Sequence, residues 1–352
     1  LKKTAEDVDP FRTWIPGLRN LASEEDFQIE AIKVAVKKCL QNLNLKSVKY
    51  KPKTLVTFSP LFLRLRAHKV LWQREDRRTI ISLQEEKAIK EKIMKETKEM
   101  VYKDMTEKYN ISGKNIFFVD IGITSIFIDG YQVTSLRGFH GKEIEIFTLA
   151  SFLPSSLVNS SGVPIVLKDA GKDLSFSYQF LGIFHFIQLF PKLTFIPAEF
   201  LLINIGERYT QIAIIKNKIP VFVTEFKGGI SDFTYAISEH LGVDIIRAKE
   251  IQENYEKKLF SEPVDRQLDE IIQPLAENWG HQLKEILIER KNLIPFNTLL
   301  TGEGAGFSIF KEVILNQYKE NGLTIKLKVL SIKDLVGLDI SEVEEMLTTS
   351  AV

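Results

Sequence analysis

Residues 199–229, EFLLINIGERYTQIAIIKNKIPVFVTEFKGG, constrain the fold more than any other stretch. The apolar run 200–203 suits a strand buried on both faces. Asn204, Ile205 and Gly206 then stand where such a strand would enter a tight turn. Residues 210–215 resume a β-rich run, Asn217 and Lys218 mark a second turn, and 219–226 reads as a third strand. Gly228 and Gly229 end the sheet just ahead of the helical spacing of Ile230, Phe233, Ile237 and Leu241. Glycine in a strand–turn–strand lets backbone N–H groups approach a phosphate without hindrance from a Cβ. A glycine pair at a helix entrance adds donors and a favourable dipole. The same features also suit a plain β-meander that feeds a helix.

A length of 352 residues suggests two domains, and a hydrophobic share of 44% is enough for sizeable cores. With 47 basic and 46 acidic residues, nothing in the charge balance points to nucleic acid. The single cysteine, Cys39, excludes an intramolecular disulfide framework and falls on the apolar stripe of a helix. Five scattered histidines lack metal-ligand spacing. No apolar run reaches the roughly 18 residues of a membrane span, and polar residues interrupt 176–190. The chain opens on Leu1 and closes on Thr348-Thr349-Ser350-Ala351-Val352, so further sequence is expected at both ends.

Ser23 and Asp26 resemble a capping box ahead of a helix with Ala31, Ile32, Ala35, Val36, Cys39, Leu40 and Leu43 on one face. Strands are expected at 53–58, 61–72 and 77–81. In the second of these, Leu63, Leu65 and Ala67 alternate with Arg64, Arg66 and His68, which suggests a half-exposed strand with a solvated basic face. Ser82 and Glu85 cap a long helix reaching Tyr109, and strands follow at 115–128, 132–136 and 142–150. Asp129-Gly130 is a hairpin signal. Residues 155–172 are turn-rich and mark a candidate domain boundary. A strand at 174–178 and a buried helix at 180–190 precede the opening stretch. After it, helices are expected from Ile230, Asp244 and Pro263, the last bent at Pro274 and Gly280. A strand at 296–300, a helix over 307–321 and a strand at 323–330 complete the pattern. Asp120-Ile121-Gly122-Ile123-Thr124 superficially copies a phosphate loop, but its strand and hairpin context favours a structural strand.

A second strand–glycine–helix junction lies at Leu299-Leu300-Thr301-Gly302-Glu303-Gly304-Ala305-Gly306. Two such loops facing one cleft is how actin-like ATPases grip a nucleotide. Residues 203–214 resemble the second phosphate-binding loop of FtsA and PilM, bacterial actin-like proteins of cell division and type IV pilus assembly. Gly228 and Gly229, the helix 233–241 and Ala248 are similar to the continuation in that family, and 299–305 resemble its adenosine loop. Residues 50–157, with Asp129-Gly130-Tyr131 and Gly138 to Gly141, resemble the FtsA-type IC subdomain, of SHS2-like architecture. Residues 23–45 resemble the last helix of subdomain IA.

The resemblance implies an α/β, actin-like (duplicated ribonuclease H-like) ATPase fold. It implies a remnant of IA at 1–49, an IC-like module at 50–157 and a second lobe at 158–352, with IIB inserted at about 229–295. Asn204, Gly206, Thr210, Gln211, Gly228, Gly229, Lys249, Gly302 and Gly304 are the implied nucleotide-binding positions, with no catalytic residue and no metal ligand. The departures bear on activity. Asn204 and Gln211 stand where the family loop has acids, Glu207-Arg208 replaces its second glycine region, and Glu303 replaces a glycine of the adenosine loop. Lys249 and Gln252 stand where the family more often has Glu and Lys. Amides cannot act as a base and hold divalent cations weakly. At most weak binding of ATP and Mg2+, and at most a weak ATPase, are therefore expected. The implied role is a cytoplasmic adaptor at the inner face of the membrane, with partners from the division or pilus machinery, scope for self-assembly and only indirect membrane contact. The alternative is a pseudo-ATPase scaffold or peptide-binding protein that kept the fold and lost the nucleotide.

Overall fold

In a computed structural model, residues 56–57, 63–158, 180–181, 196–320, 322 and 324–330 are described. Two sheets organise them. The first is antiparallel and contains β2 (Arg64–Gln73), β3 (Ile116–Ile128), β4 (Tyr131–Val133) and β5 (Glu143–Pro154), in the order β2-β5-β3-β4. Asp129 and Gly130 turn the β3–β4 hairpin with φ of 47° and 83°, the left-handed pair that a two-residue loop requires. Helix α1 (Leu83–Tyr109) starts at Ser82, whose hydroxyl accepts from the Glu85 N–H. It packs Ile89 and Ile93 against Val70, Ile126, Ile144 and Ile146, and Val101 and Met105 against Ile121, Ala150 and Phe152. Its outer face carries i,i+4 Lys–Glu pairs in solvent.

The second sheet is mixed. It contains β7 (Phe200–Ile205), β8 (Tyr209–Lys216), β9 (Ile219–Lys227), β10 (Asn297–Thr301) and β11 (Lys326–Val329), in the order β11-β10-β7-β8-β9. The expected meander 200–226 forms β7–β9, and the parallel strands β10 and β11 extend the sheet beyond β7. One face, through Leu201, Ile203, Ile212, Ile214 and Leu300, is covered by four helices. These are α2 (Ile230–Leu241), α3 (Ile245–Glu256), α4 (Glu262–Glu289) and α5 (Ser308–Glu320). The other face presents Phe200, Leu202, Ala213, Ile215, Val223 and Leu299 to Leu65 of β2 and Leu149 of β5. The two sheets therefore share an apolar layer.

Three expectations are corrected. Residues 77–79 form bends and 80–81 are irregular, where a strand was expected, because Arg74 is drawn onto Glu85, the Thr79 carbonyl and the Gly141 carbonyl, and Asp76 accepts from the Arg78 N–H. Phe180–Leu181 is a short strand, β6, paired in parallel with β1 (Val56–Thr57), where a helix was expected to begin. The basic face of β2 is not solvated: Arg64 and Arg66 are 8% and 4% exposed. Both turn toward Glu225 of β9, a partner distant in sequence that a local pattern does not reveal. The expected elements at 23–45 and 174–178 lie outside the described residues.

Candidate functional site

The β7–β8 turn closes on itself and on the start of α2. The Gly206 N–H donates to the Tyr209 carbonyl at 3.0 Å. The Gly206 and Glu207 carbonyls in turn accept from the Ile230 and Ser231 N–H groups at 3.1 and 2.9 Å, and the Arg208 carbonyl accepts from the Gly228 N–H at 2.9 Å. The chain passes so close at Gly229 that a Cβ there would lie 2.3 Å from the Glu207 carbonyl oxygen. The Gly229 N–H donates to Asp232 Oδ2 at 3.0 Å. Burial pushes the Asp232 carboxyl up, against the opposing pull of the Gly229 amide and of Lys227 and Arg208. The first amides of α2, the donors a helix N-terminus would offer an anion, are thus engaged by the turn and by Asp232.

The second glycine turn adjoins the first. Thr301 at the end of β10 is in register with Asn204 of β7, and Gly302 follows with φ of 92°. A Cβ on Gly302 would stand 2.3 Å from the Ile205 carbonyl oxygen and 2.6 Å from Asn204 Oδ1, so only glycine fits this crossing. Gly304 is buried against the Ile205 side chain. The two turns therefore lie side by side at one end of neighbouring parallel strands.

Register places Thr301, Asn204, Gln211 and Glu225 in one row across β10, β7, β8 and β9. The row continues the face that carries Leu202, Ala213 and Val223. Thr210 points the other way. Its buried hydroxyl donates to the Gly228 carbonyl at 2.8 Å and accepts from Trp279 Nε1 of α4 at 2.9 Å. Lys249 is exposed on α3, while Gln252 is buried and accepts from the Thr234 hydroxyl. Behind the second turn, Phe307 packs among Phe233, Tyr255 and Phe310, and the Glu256 carboxylate accepts from the Ser308 N–H at the start of α5.

Sequence reasoning missed four side chains that shape this end of the sheet: Arg66, Glu225, Asp232 and Trp279. Asp232 could have been found from its place three residues after Gly229, a helix-start spacing. The others carry no local signal, since Arg66 and Glu225 are 159 residues apart and Thr210 and Trp279 are 69 apart.

The donor set does not suit Mg2+. A hard divalent cation calls for anionic oxygen, yet Asn204 and Gln211 contribute only neutral amides. Glu225, the carboxylate of the row, is forked by Arg66 through bonds of 2.6 and 3.0 Å. Among the described residues, no group of three or more His, Cys, Asp or Glu side chains could hold a metal ion.

No family model matches the sequence, and none of the curated proteins compared with it does either. Solved structures do match. The chain aligns with a structure described as "PilM-PilN type IV pilus biogenesis complex" at a TM-score of 0.55 and 18% identity, over 86% of this chain and 74% of that one. It also aligns with the ethanolamine utilization protein EutJ from Carboxydothermus hydrogenoformans, at 0.35 and 15%, over 48% of this chain and 56% of that one. With MreB 5 of Spiroplasma citri bound to AMPPNP the values are 0.37 and 13%, over 52% and 65%. The likeness to the PilM structure covers 86% of this chain, and at 18% identity it speaks to fold. With the order β11-β10-β7-β8-β9 and its two adjoining glycine turns, it leads to one conclusion: the chain has the actin-like ATPase fold, of the PilM type.

Proposed function

We propose that this chain is an actin-fold scaffold of pilus assembly that docks protein partners at the inner face of the membrane and binds ATP and Mg2+ weakly or not at all. The observation that carries this reading is the pairing of Asn204 with Gln211 across β7 and β8, beside the turn that adjoins Gly302. Two neutral amides stand where a working actin-like ATPase needs charge. The engaged amides of Gly229, Ile230 and Ser231 support the same reading. In it, the Thr210 hydroxyl is a structural group, and Gly206, Gly228, Gly229, Gly302 and Gly304 preserve the close crossing of two turns. Lys249 is then an exposed cation without a nucleotide to meet. Residues 50–157 form the IC-type module and 158–352 the second lobe, with 229–295 as its IIB part.

The PilM structure is of a complex with PilN, and a protein ligand of that general kind is what a scaffold with this fold would hold. That likeness favours a pilus role over a division role. No described helix is long and apolar enough to cross a membrane, so membrane contact in this reading runs through partners.

Thermal unfolding with and without Mg-ATP tests the proposal. A ligand at a hundred times its Kd stabilises by about 2.7 kcal/mol, a shift of several degrees. The scaffold should not shift, and the purified chain should not hydrolyse ATP above background. A shift of several degrees would overturn the proposal and restore a nucleotide-binding adaptor.

A further inference from the structure

The polar row at the end of the second sheet has its countercharge built in. Arg66 of β2 places Nη1 and Nη2 at 2.6 and 3.0 Å from the two Glu225 carboxylate oxygens, and Nε at 2.5 Å from Asp104 Oδ2 of α1. Its Nη1 also donates to the Leu65 carbonyl at 2.7 Å. Arg64 approaches the same carboxylate, with Nε 3.7 Å from Glu225 Oε1, and lies 4.1 Å over the Tyr109 ring. The Tyr109 hydroxyl donates to the Glu225 backbone carbonyl at 2.9 Å. One guanidinium thus sits between two carboxylates from separate elements, with the Gln211 amide on the strand position directly opposite Glu225. The Glu225 side chain is fully buried, at 0% exposure, so an unpaired charge there would be costly.

Two carboxylates that converge on one central positive charge form part of the layout of a divalent-cation site, here with a guanidinium at its centre. We infer that Arg66 replaces a divalent cation, so that the strand-end row is neutralised from within the chain and takes no Mg2+. The inference rests on the scaffold reading above and extends it. A guanidinium stays charged throughout the physiological range and cannot dissociate from the chain. The tie between α1, β2 and β9 is then independent of nucleotide and metal supply, as a docking platform requires.

The test is titration of the full chain with MnCl2, followed by the paramagnetic resonance of free Mn2+. Wild type should show no saturable site. Arg66→Met, which keeps the apolar stem and removes the charge, should bind Mn2+ at least about tenfold more tightly than wild type. Arg66→Met/Glu225→Gln should lose that gain. Should Arg66→Met unfold on its own, Mn2+ should restore its far-UV circular dichroism, and the double variant should not respond to the metal. Saturable Mn2+ binding by wild type that disappears in Glu225→Gln would overturn the inference, as would an Arg66→Met chain that gains no site or does not refold with Mn2+. Stabilisation of wild type by ATP in EDTA would contradict the scaffold reading and leave this inference standing.

Discussion

Replacing Thr210 by valine keeps the shape of the side chain and removes one oxygen. That oxygen serves two buried partners, donating to the Gly228 carbonyl at 2.8 Å and accepting from the Trp279 indole N–H at 2.9 Å. Both partners sit beneath the turn, with Trp279 packed on Phe226 and Phe310. A buried polar group left without its partner costs about 1–3 kcal/mol, so two such losses, partly offset by the added methyl, should destabilise the chain by about 2–4 kcal/mol. Urea unfolding followed by far-UV circular dichroism measures this directly. Combining Thr210→Val with Trp279→Phe should show a coupling of about 1 kcal/mol or more, as expected for residues that share a hydrogen bond. A loss below about 0.5 kcal/mol, the range of an ordinary surface change, would refute the reasoning. So would simple additivity of the two variants. Either result would return Thr210 to the position of a free hydroxyl awaiting a ligand.

Further outcomes follow from the same geometry. Gly302→Ala should cost at least about 2 kcal/mol in urea unfolding, because φ of 92° disfavours any side chain and its Cβ would press on the Ile205 carbonyl. A loss in Gly302→Ala no greater than that of an exposed-loop substitution would contradict the crossing of the two turns. Burial alone would push the Asp104 carboxyl up, but Arg66 and then Lys108 outweigh it and hold the group below the ordinary carboxylate range. A depressed acid contributes stability above its unfolded value, near about 3.9, and that stability is lost as pH falls from there through the folded value. The thermal midpoint should therefore drop on acidification below about pH 4, and Asp104→Asn should flatten that drop. An unchanged pH profile in Asp104→Asn would count against the Arg66 bridge.

The meander was legible because its information is local. Residues 200–203 are apolar on both faces, Asn217 and Lys218 adopt φ of 51° and 66° where the turn was expected, and Gly242 ends α2 at φ of 63°. The stop at Gly242, the cap at Ser82 and the Asp129-Gly130 hairpin are likewise short-range signals. Long-range electrostatics was not legible. Alternation in 63–68 correctly placed a strand, yet it sent the arginines to solvent, because the carboxylate that holds them sits on β9. The same blindness affected Thr210, whose indole partner comes from α4, and 180–181, whose strand partner is 56–57. In each case the deciding contact is made between residues that only the topology brings together.

The most direct test of the account is an experimental structure of the chain grown with Mg2+ and a non-hydrolysable ATP analogue. The account predicts the Gly206–Arg208 turn still bonded to the Ile230 and Ser231 amides, Arg66 still forked on Glu225, and no nucleotide at the paired glycine turns. A nucleotide lying against Gly302 and the β7–β8 turn, with Mg2+ held near Asn204 and Gln211, would contradict it.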